Sequence, residues 1–218
     1  MKSYHLYLKE QHFELLPHKS VFWHEKKTLI LSDLHLGKTG HFRKHGLSLP
    51  PESGMKDLVA LKKLLNDFQP SRLLILGDLF HSEYNQDWDH FGTLRQEFPA
   101  VRFDLVPGNH DILPTSYYTQ FGISFLSSKV EEGQFVFSHV PFVAEQGLIT
   151  ISGHIHPGFY MEGRAKHAVR LPCFYFLDDV LLLPAFGKLT GLKMMPKTPK
   201  AEIFVVAGAS VHKIGKAP

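Results

Sequence analysis

The chain has 218 residues, of which 44% are hydrophobic and 21% charged, and its formal net charge is +3. These proportions allow a hydrophobic core of ordinary size, and the single cysteine, Cys173, excludes an intramolecular disulfide. The N-terminal segment lacks the unbroken apolar run of a signal peptide, and no apolar run approaches the length needed to cross a bilayer. We therefore expect a cytoplasmic protein without membrane association.

Apolar runs bounded by turn residues predict the following elements in chain order. Strand-like segments lie at Tyr4–Leu8 and Ser20–His24, and buried strands follow at Thr28–Leu31, Leu73–Leu76, Arg102–Val106, Phe135–Phe137 and Leu148–Ile151. Two amphipathic helices, Gly54–Phe68 and Trp88–Phe98, separate the first three buried strands, with apolar residues at three- and four-residue spacing. This alternation of strand and helix predicts a mostly parallel α/β arrangement.

The C-terminal part of the chain has a different pattern. Pro172–Pro184 and Ala201–Ile214 are strand-like with turn residues between them, which predicts antiparallel additions or a second sheet. The tail after Leu192 is compatible with a hairpin. Because no repeat and no linker-like stretch separates two cores, we predict a single domain over residues 1–218 with a layered α/β sandwich fold.

Each of the five buried strands is followed by a side chain that can bind a metal. The candidate ligands are Asp33 and His35 after the first strand, then Asp78, Asn109 and His139, and finally His154 and His156 after the fifth. In an α/β sheet the carboxyl ends of the strands form the crevice where ligands bind, so we expect these side chains to converge. Any one of these motifs alone is as well explained by a surface loop or a structural histidine. The prediction depends on the ordered set of five.

The chemistry of this set indicates the metal. Four imidazoles, two carboxylates and one amide carbonyl, without a thiolate, suit Mn²⁺, Fe or Zn²⁺. These ligands exceed the needs of one open site, so we predict two ions about 3.5–4 Å apart that share one carboxylate. Asp78, at the end of a central strand, is the predicted bridge. Such a pair clamps a phosphoryl group and generates a hydroxide between the ions, which predicts a phosphoesterase.

The ordered motifs D-x-H, G-D, G-N-H-D, a strand-borne histidine and G-H-x-H resemble those of the calcineurin-like metallophosphoesterase superfamily. The resemblance implies an αββα-type sandwich of mixed sheets, with helices outside and no separate cap domain. It assigns one ion to Asp33, His35, Asp78 and His156, and the other to Asp78, Asn109, His139 and His154. It also implies that His110 is the catalytic residue, which protonates the leaving oxygen while the metal-bridging hydroxide attacks, and that Asp111 orients His110.

Longer stretches carry a narrower resemblance. The segments DLHLGKTGHFRKHGLSLP, GDLFHS, GHIHPG, LPCF and LLPAFGKLTG resemble the bacterial DNA-ligase-associated metallophosphoesterases. This implies a Mn²⁺-dependent DNA phosphodiesterase or endonuclease. Such an enzyme would act in DNA repair, on single-stranded or damaged DNA, in functional association with a ligase, a helicase and an exonuclease.

The residues that follow His35 also favour a polyanionic substrate. Lys38, His41 and Arg43 come three to eight residues after this ligand, so they begin near the metal crevice. Cations there would hold the phosphates that flank the scissile bond of a polynucleotide. An ordinary solvated basic loop explains the same residues equally well.

Two other functions compete with a nuclease. The first is a phosphatase or pyrophosphatase that acts on a small molecule, a nucleotide or a lipid-linked substrate; the polar segment Phe80–Trp88 argues against a lipid pocket. The second is a metal-binding scaffold without catalysis. In scaffolds of this kind the catalytic histidine is missing, whereas His110 and every ligand are present here.

Overall fold

The computed structural model of the protein describes residues 2–38, 53–80, 86–145, 147–162 and 168–215. Within these residues the chain forms two mixed sheets and three helices. The helices are α1 (Ser53–Phe68), α2 (Gln86–Glu97) and α3 (Thr115–Thr119). None of the helices described is long and apolar enough to span a membrane.

The first sheet follows the order of the chain and, in the part described, has seven strands. They are β1 (Tyr4–Leu8), β2 (Gln11–Leu16), β3 (Ser20–Trp23), β4 (Thr28–Leu31), β5 (Arg72–Leu76), β6 (Arg102–Val106) and β7 (Ile123–Phe125). Strands β1 to β4 pair antiparallel through short turns. Strands β4 to β7 pair parallel, because helical connections carry the chain back between them. The parallel arrangement predicted from the strand–helix alternation is confirmed.

The second sheet contains nine strands among the described residues. They are β8 (Lys129–Glu132), β9 (Phe135–Ser138), β10 (Ile149–Ser152), β11 (Pro157–Glu162), β12 (Ala168–Leu177), β13 (Val180–Leu182), β14 (Lys193–Met194), β15 (Glu202–Ala207) and β16 (Ser210–Ile214). Strands β9, β10 and β13 pair parallel, and β12 pairs antiparallel with β11, β13 and β15. The predicted C-terminal hairpin is formed by β15 and β16.

Apolar layers hold the sheets and helices together. Alternate residues of a strand face opposite sides of its sheet, and both sides of β4 are covered. Leu29 and Leu31 pack with Leu61 and Leu64 of α1, whereas Ile30 faces the layer between the two sheets, where it joins residues of β9 and β10. Burial on both faces explains why β4 and β5 are continuous apolar runs rather than alternating ones.

The outer face of the second sheet is covered differently. Cys173, Tyr175 and Val205 form an apolar cluster there, with Ile155 and Met195 from loops packed against it. The predicted class, an α/β sandwich of two mixed sheets, is confirmed. The described helices all pack on the first sheet, and strand and loop residues cover the second.

A buried ion-pair network also links the sheets. Arg72 of β5 donates from Nε to Asp104 Oδ2 of β6 at 2.6 Å, and from Nη1 to Glu132 Oε1 of β8 at 2.5 Å. Arg72 is only 7% exposed and Asp104 only 2%. A pair so far from water depends on keeping both partners, because a single buried charge left without its partner is costly.

Candidate metal centre

The predicted ligands come from strand ends in both sheets. The first sheet supplies Asp33 after β4, Asp78 after β5 and Asn109 after β6. The second sheet supplies His139 directly after β9 and His154 two residues after β10. The sequence predicted that the carboxyl ends of these strands form one crevice of an α/β sheet. In the structure the two sheets meet face to face with these ends at the same edge, so the candidate centre lies between the sheets.

The Asp33 carboxylate is fully buried and contacts three of the histidines. Its Oδ1 lies 3.2 Å from His156 Nε2 and 3.9 Å from His139 Nδ1. The backbone N–H of His154 donates to both carboxylate oxygens, at 3.2 and 3.0 Å. Burial disfavours the charged form, but His156 and His139 outweigh it and lower the pKa of Asp33 below its ordinary value. The carboxylate is therefore an anionic ligand at neutral pH.

Asp78 lies between the histidines of the two sheets. Its Oδ2 is 3.7 Å from His35 Nε2 and 3.5 Å from His139 Nε2, and its Oδ1 accepts a hydrogen bond from the backbone N–H of His110 at 2.8 Å. His139 Nδ1 lies 3.0 Å from the carbonyl oxygen of Leu76, which can only accept, so Nδ1 carries the proton. The lone pair of His139 Nε2 is thereby directed towards Asp78, as a metal ligand requires.

Three groups of potential metal ligands lie at these strand ends. Within each group, one ligand atom from each residue lies within 4.8 Å of the others. The groups are Asp33 with His35 and His156, Asp33 with Asp78 and His139, and His35 with Asp78 and His110. His154 joins them through its Nδ1, which is 3.0 Å from His139 Nε2. Both carboxylates thus belong to two groups, so Asp33 is as central as Asp78, the predicted bridge. Oxygen and imidazole donors in this number fit two divalent ions of the Mn²⁺, Fe or Zn²⁺ type.

The ligand residues share an unusual backbone conformation. The φ angles of Asp33, His35, Asp78, His154 and His156 are 54°, 49°, 53°, 68° and 52°. Non-glycine residues rarely adopt this left-handed region, and each instance costs of order 1–3 kcal/mol unless its surroundings impose it. Five such residues at one edge indicate that the fold holds the ligands in a preset geometry. The sequence carries no direct signal for this feature.

Glycines next to the ligands make room for the ligands themselves. A Cβ atom on Gly77 would lie 2.3 Å from His139 Nδ1, and one on Gly108 would lie 2.3 Å from Asp78 Oδ1. A Cβ atom on Gly153 would lie 2.5 Å from Asp33 Oδ2. These distances are far below van der Waals contact. The glycines that precede the ligands are therefore required by close packing as well as by the turns they form.

The sequence model of the calcineurin-like phosphoesterase family matches residues 26–208, which is well over half of the chain. The chain belongs to this family. Its members use a dinuclear divalent metal site, and the ligand groups described above are the candidates for that site in this phosphoesterase.

One solved structure shares the fold over nearly the whole chain. The nuclease MPE from Pseudomonas putida superposes with a TM-score of 0.84 at 24% identity, over 98% of this chain and 100% of that one. The phosphoesterase YfcE from E. coli has a TM-score of 0.43 at 14% identity, over 86% of this chain and 97% of that one. An archaeal phosphodiesterase has a TM-score of 0.40 at 17% identity, over 86% and 98%. A comparison with curated protein sequences finds no match.

The loop after β6 presents the predicted catalytic residues. Asn109 and His110 are exposed, and the His110 ring lies 5.3 Å from the His35 ring, centroid to centroid. Asn109 is placed at the cluster by its neighbours Gly108 and His110, which both contact Asp78. The roles of Asn109 as a ligand and of His110 as an acid stay predictions.

Asp111 joins the loops that follow β5 and β6. Its carboxylate accepts hydrogen bonds from the backbone N–H groups of Asp78 at 2.8 Å, Gly108 at 2.9 Å and Leu79 at 3.1 Å. Burial raises the pKa of Asp111 to about 6, and Asp78 adds to the rise while these hydrogen bonds oppose it. Asp111 thus fixes the two loops relative to each other. Its predicted role in orienting the His110 ring stays a prediction.

Lys38 lies beside the centre, as its position in the sequence suggests. Its backbone N–H donates to the His35 carbonyl at 3.3 Å. Burial lowers the pKa of Lys38, and the attraction of Asp78 and Asp33 opposes this shift. The ammonium group is therefore close enough to interact with both carboxylates. The two other predicted substrate-binding residues, His41 and Arg43, lie outside the described residues.

A loop after β13, which the sequence reasoning missed as part of the site, supports the segment of Asp33. Gly187 donates its N–H to the Asp33 carbonyl at 3.1 Å, and a Cβ atom at this position would lie 2.5 Å from the Leu34 oxygen. Lys19 Nζ donates to the Gly187 carbonyl at 3.2 Å, and Asp57 accepts the N–H of Lys188 at 3.1 Å. The F-G-K motif was a usable signal, since it belongs to one of the stretches that resemble the narrower family.

A basic cavity of about 550 Å³ opens beside this loop. Its charged and titratable lining residues are His18, Lys19, Lys56, Asp57, Lys63 and Lys188. Burial lowers the pKa of Lys19 to about 8, against the attraction of Asp57. Lys56 and Lys188 are exposed, whereas Asp57, the acid of the lining, is only 6% exposed. The cavity therefore presents mainly positive charge to solvent. Its Lys188 directly follows Gly187, the residue that supports Asp33.

Proposed function

We propose that this phosphoesterase is a metal-dependent phosphodiesterase that cleaves DNA in DNA repair. The observation that carries the nucleic-acid substrate is the basic cavity next to the Gly187 loop, whose backbone supports the segment of Asp33. A polynucleotide has phosphates on both sides of the scissile bond, and cations beside a reaction site hold them. A small phosphate ester has no flanking phosphates for these lysines to bind.

The residues at the strand ends would hold two divalent ions, and we propose Mn²⁺. Asp33, His35, Asp78 and His156 would hold one, and Asp78, Asn109, His139 and His154 the other. When bound, such ions polarise the phosphoryl oxygens and lower the pKa of water. The buried carboxylates of Asp33 and Asp78 would supply the negative charge that retains both ions.

We propose that the His110 ring donates a proton to the leaving oxygen. The residue is exposed, so a substrate can reach it, and its backbone is fixed by the 2.8 Å hydrogen bond to Asp78. Asp111 accepts a hydrogen bond from the N–H of Gly108 and so holds the loop that carries His110. General acid catalysis of this kind contributes typically about 10²–10⁴-fold to the rate.

The path of the DNA would run from the candidate centre over Lys38 to the lysines of the basic cavity. Lys38 interacts with the carboxylates of the centre, and Lys188 follows the glycine that contacts Asp33. The whole-length likeness to a Pseudomonas putida nuclease supports a nucleic-acid substrate. The resemblance to DNA-ligase-associated enzymes supports a role beside a ligase, a helicase and an exonuclease.

The test compares two double variants with equal loss of charge. In Lys56→Ala/Lys188→Ala the exposed lysines of the basic cavity are removed. In the control, Lys9→Ala/Lys26→Ala, the lysines lie in another cavity, next to the strand start of β4 rather than its end. Substrates are single-stranded, nicked and duplex DNA, together with an aryl phosphodiester, each with Mn²⁺.

We expect the first variant to raise KM for DNA and to flatten the log–log dependence of affinity on salt by roughly one unit per lost phosphate contact. Turnover of the aryl phosphodiester should not change in either variant. If the cavity variant and the control variant behave alike on DNA, the proposed path is wrong. If the parent protein hydrolyses the aryl esters but none of the DNA substrates, the proposed substrate is wrong.

A further inference from the structure

A second cluster of histidines lies on the outer face of the N-terminal strands. His5 is on β1, His12 is on β2, and His24 comes directly after β3. Neighbours such as Leu6 and Phe13 face the apolar layer between the sheets, so strand alternation directs His5 and His12 to the opposite face. His24 follows the strand that ends beside the start of β4, whereas the candidate metal centre follows the end of β4. The two clusters therefore lie at opposite ends of the strands of the first sheet.

The three rings bring one nitrogen atom each close together. One potential ligand atom from each of His5, His12 and His24 lies within 4.8 Å of the other two. His5 Nδ1 is 2.8 Å from His12 Nε2. The rings of His12 and His24 are stacked almost parallel with centroids 4.0 Å apart, so the His24 ring would turn about its Cβ–Cγ bond to direct a nitrogen to an ion that His12 also binds. Two nitrogens about 2.0–2.1 Å from a tetrahedral zinc ion are about 3.4 Å apart. His5 and His12 would need to separate by only about half an ångström to bind one ion.

A carboxylate orients one of these rings, and a second carboxylate holds the backbone of another. His24 Nε2 lies 3.0 Å from Glu14 Oε2, and because a carboxylate only accepts, this nitrogen carries the proton and Nδ1 is left for a metal. Glu14 is in turn held by the Ser3 hydroxyl, which donates at 2.5 Å. Glu25 accepts the backbone N–H of His12 at 3.1 and 3.0 Å. A histidine whose second nitrogen is bound to a carboxylate is the usual arrangement around protein-bound zinc.

The electrostatics of the cluster also suit a cation. Burial, followed by the proximity of His24 and His5, lowers the pKa of His12. Three imidazoles in mutual contact repel as protonated rings, and a metal ion needs them neutral. Glu14 and Glu25 bring negative charge that a bound divalent ion would offset.

We propose that His5, His12 and His24 form a mononuclear transition-metal site, with Zn²⁺ as its best-suited ion and Glu14 as the residue that positions His24. The bound ion would join β1, β2 and β3 of the first sheet. This site is separate from the candidate dinuclear centre, and it does not depend on the proposed nuclease function.

The test measures zinc content on the untagged full-length protein, because a polyhistidine tag would itself bind zinc. The protein is stripped with a chelator, titrated with Zn²⁺, desalted and analysed by inductively coupled plasma mass spectrometry. Two variants, His5→Gln and His24→Gln, each remove one proposed ligand. The control, His90→Gln, removes an exposed histidine of α2, whose neighbour is Asp87. Circular dichroism checks that each variant retains the parent's fold.

We expect each ligand variant to bind one equivalent of zinc fewer than the parent, and the control to bind as many as the parent. Glu14→Gln should retain the stoichiometry and weaken this zinc site by about 10–100-fold. Because every comparison is a difference from the parent, the result does not depend on how many ions the candidate centre holds. Equal zinc content in the parent, His5→Gln and His24→Gln would overturn the proposal.

Discussion

Replacing Gly77 by alanine should expel His139 from its position in the candidate metal centre. The new Cβ atom would lie 2.3 Å from His139 Nδ1, 2.5 Å from its Cγ and 2.7 Å from the Cα of Gly108. Relief requires the ring to move by roughly 1 Å, because ordinary contacts begin near 3.4 Å. This movement breaks the hydrogen bond from His139 Nδ1 to the Leu76 carbonyl and turns Nε2 away from Asp78.

Two separate costs contribute to the expected loss of stability. Gly77 has a φ of 76°, and placing an L-residue in this region costs roughly 1–2 kcal/mol. Overpacking against the ring and the lost hydrogen bond add about 2 kcal/mol more. Gly133 separates the two costs: its φ is 63°, but a Cβ atom there would have nothing within 4 Å. We therefore expect Gly133→Ala to lose about 1–2 kcal/mol and Gly77→Ala about 3–4 kcal/mol.

The measurement is urea unfolding of both variants in the presence of a chelator, followed by calorimetric titration with Mn²⁺. Gly77→Ala should unfold at lower urea than Gly133→Ala and bind Mn²⁺ more weakly, whereas Gly133→Ala should bind Mn²⁺ as the parent does. If the two variants are equally stable and bind Mn²⁺ equally well, the contact between Gly77 and His139 does not shape the site, and the reasoning is refuted.

Three further substitutions test other parts of the structure. Asp78→Ala should abolish phosphodiesterase activity and lower the bound metal measured by mass spectrometry, since both proposed ions lose a ligand; a fully active variant would contradict the shared role. His110→Ala should retain both metals while kcat falls by about 10²–10⁴-fold, with a smaller loss for aryl esters whose leaving group needs little protonation. Equal losses for good and poor leaving groups would argue against the acid role. Arg72→Met should lower the free energy of unfolding by about 3 kcal/mol in a urea titration, because Asp104 would stay buried with less compensation. A loss below about 1 kcal/mol would mean that Arg102, 2.9 Å from Asp104, suffices.

The elements that the sequence predicts well are those whose environment is uniform along their length. Strand β4 is apolar at every position because both of its faces are buried, and its predicted bounds agree with the structure. Helix α1 has a regular apolar stripe that packs on one layer, so its predicted start at Gly54 is wrong by only one residue. Strand β2 has three half-buried polar residues, Gln11, His12 and Glu14, among its first four positions, so its apolar pattern is too weak to be recognised.

The candidate site could likewise be predicted only in part from the sequence. Ligands that directly follow buried strands can be read from the chain, because each motif is local. The distribution of those ligands over two sheets cannot, since it depends on how β9 and β10 pair and on the packing of one sheet against the other. The left-handed backbone of the ligands and the support of Asp33 by Gly187, over 150 residues later, are equally products of tertiary contact.

The division of the ligands between the sheets has a consequence for how the sandwich is held in register. The layer between the sheets is apolar, and apolar contacts are non-directional, so they restrain sliding of one sheet over the other only weakly. Coordination bonds, in contrast, fix distances to a few tenths of an ångström. An ion shared by Asp78 of the first sheet and His139 of the second would fix the relative position of the two sheet edges. These edges are already joined by hydrogen bonds from His139 Nδ1 to the Leu76 carbonyl and from the His154 N–H to Asp33, so metal occupancy would tighten an alignment that these bonds set.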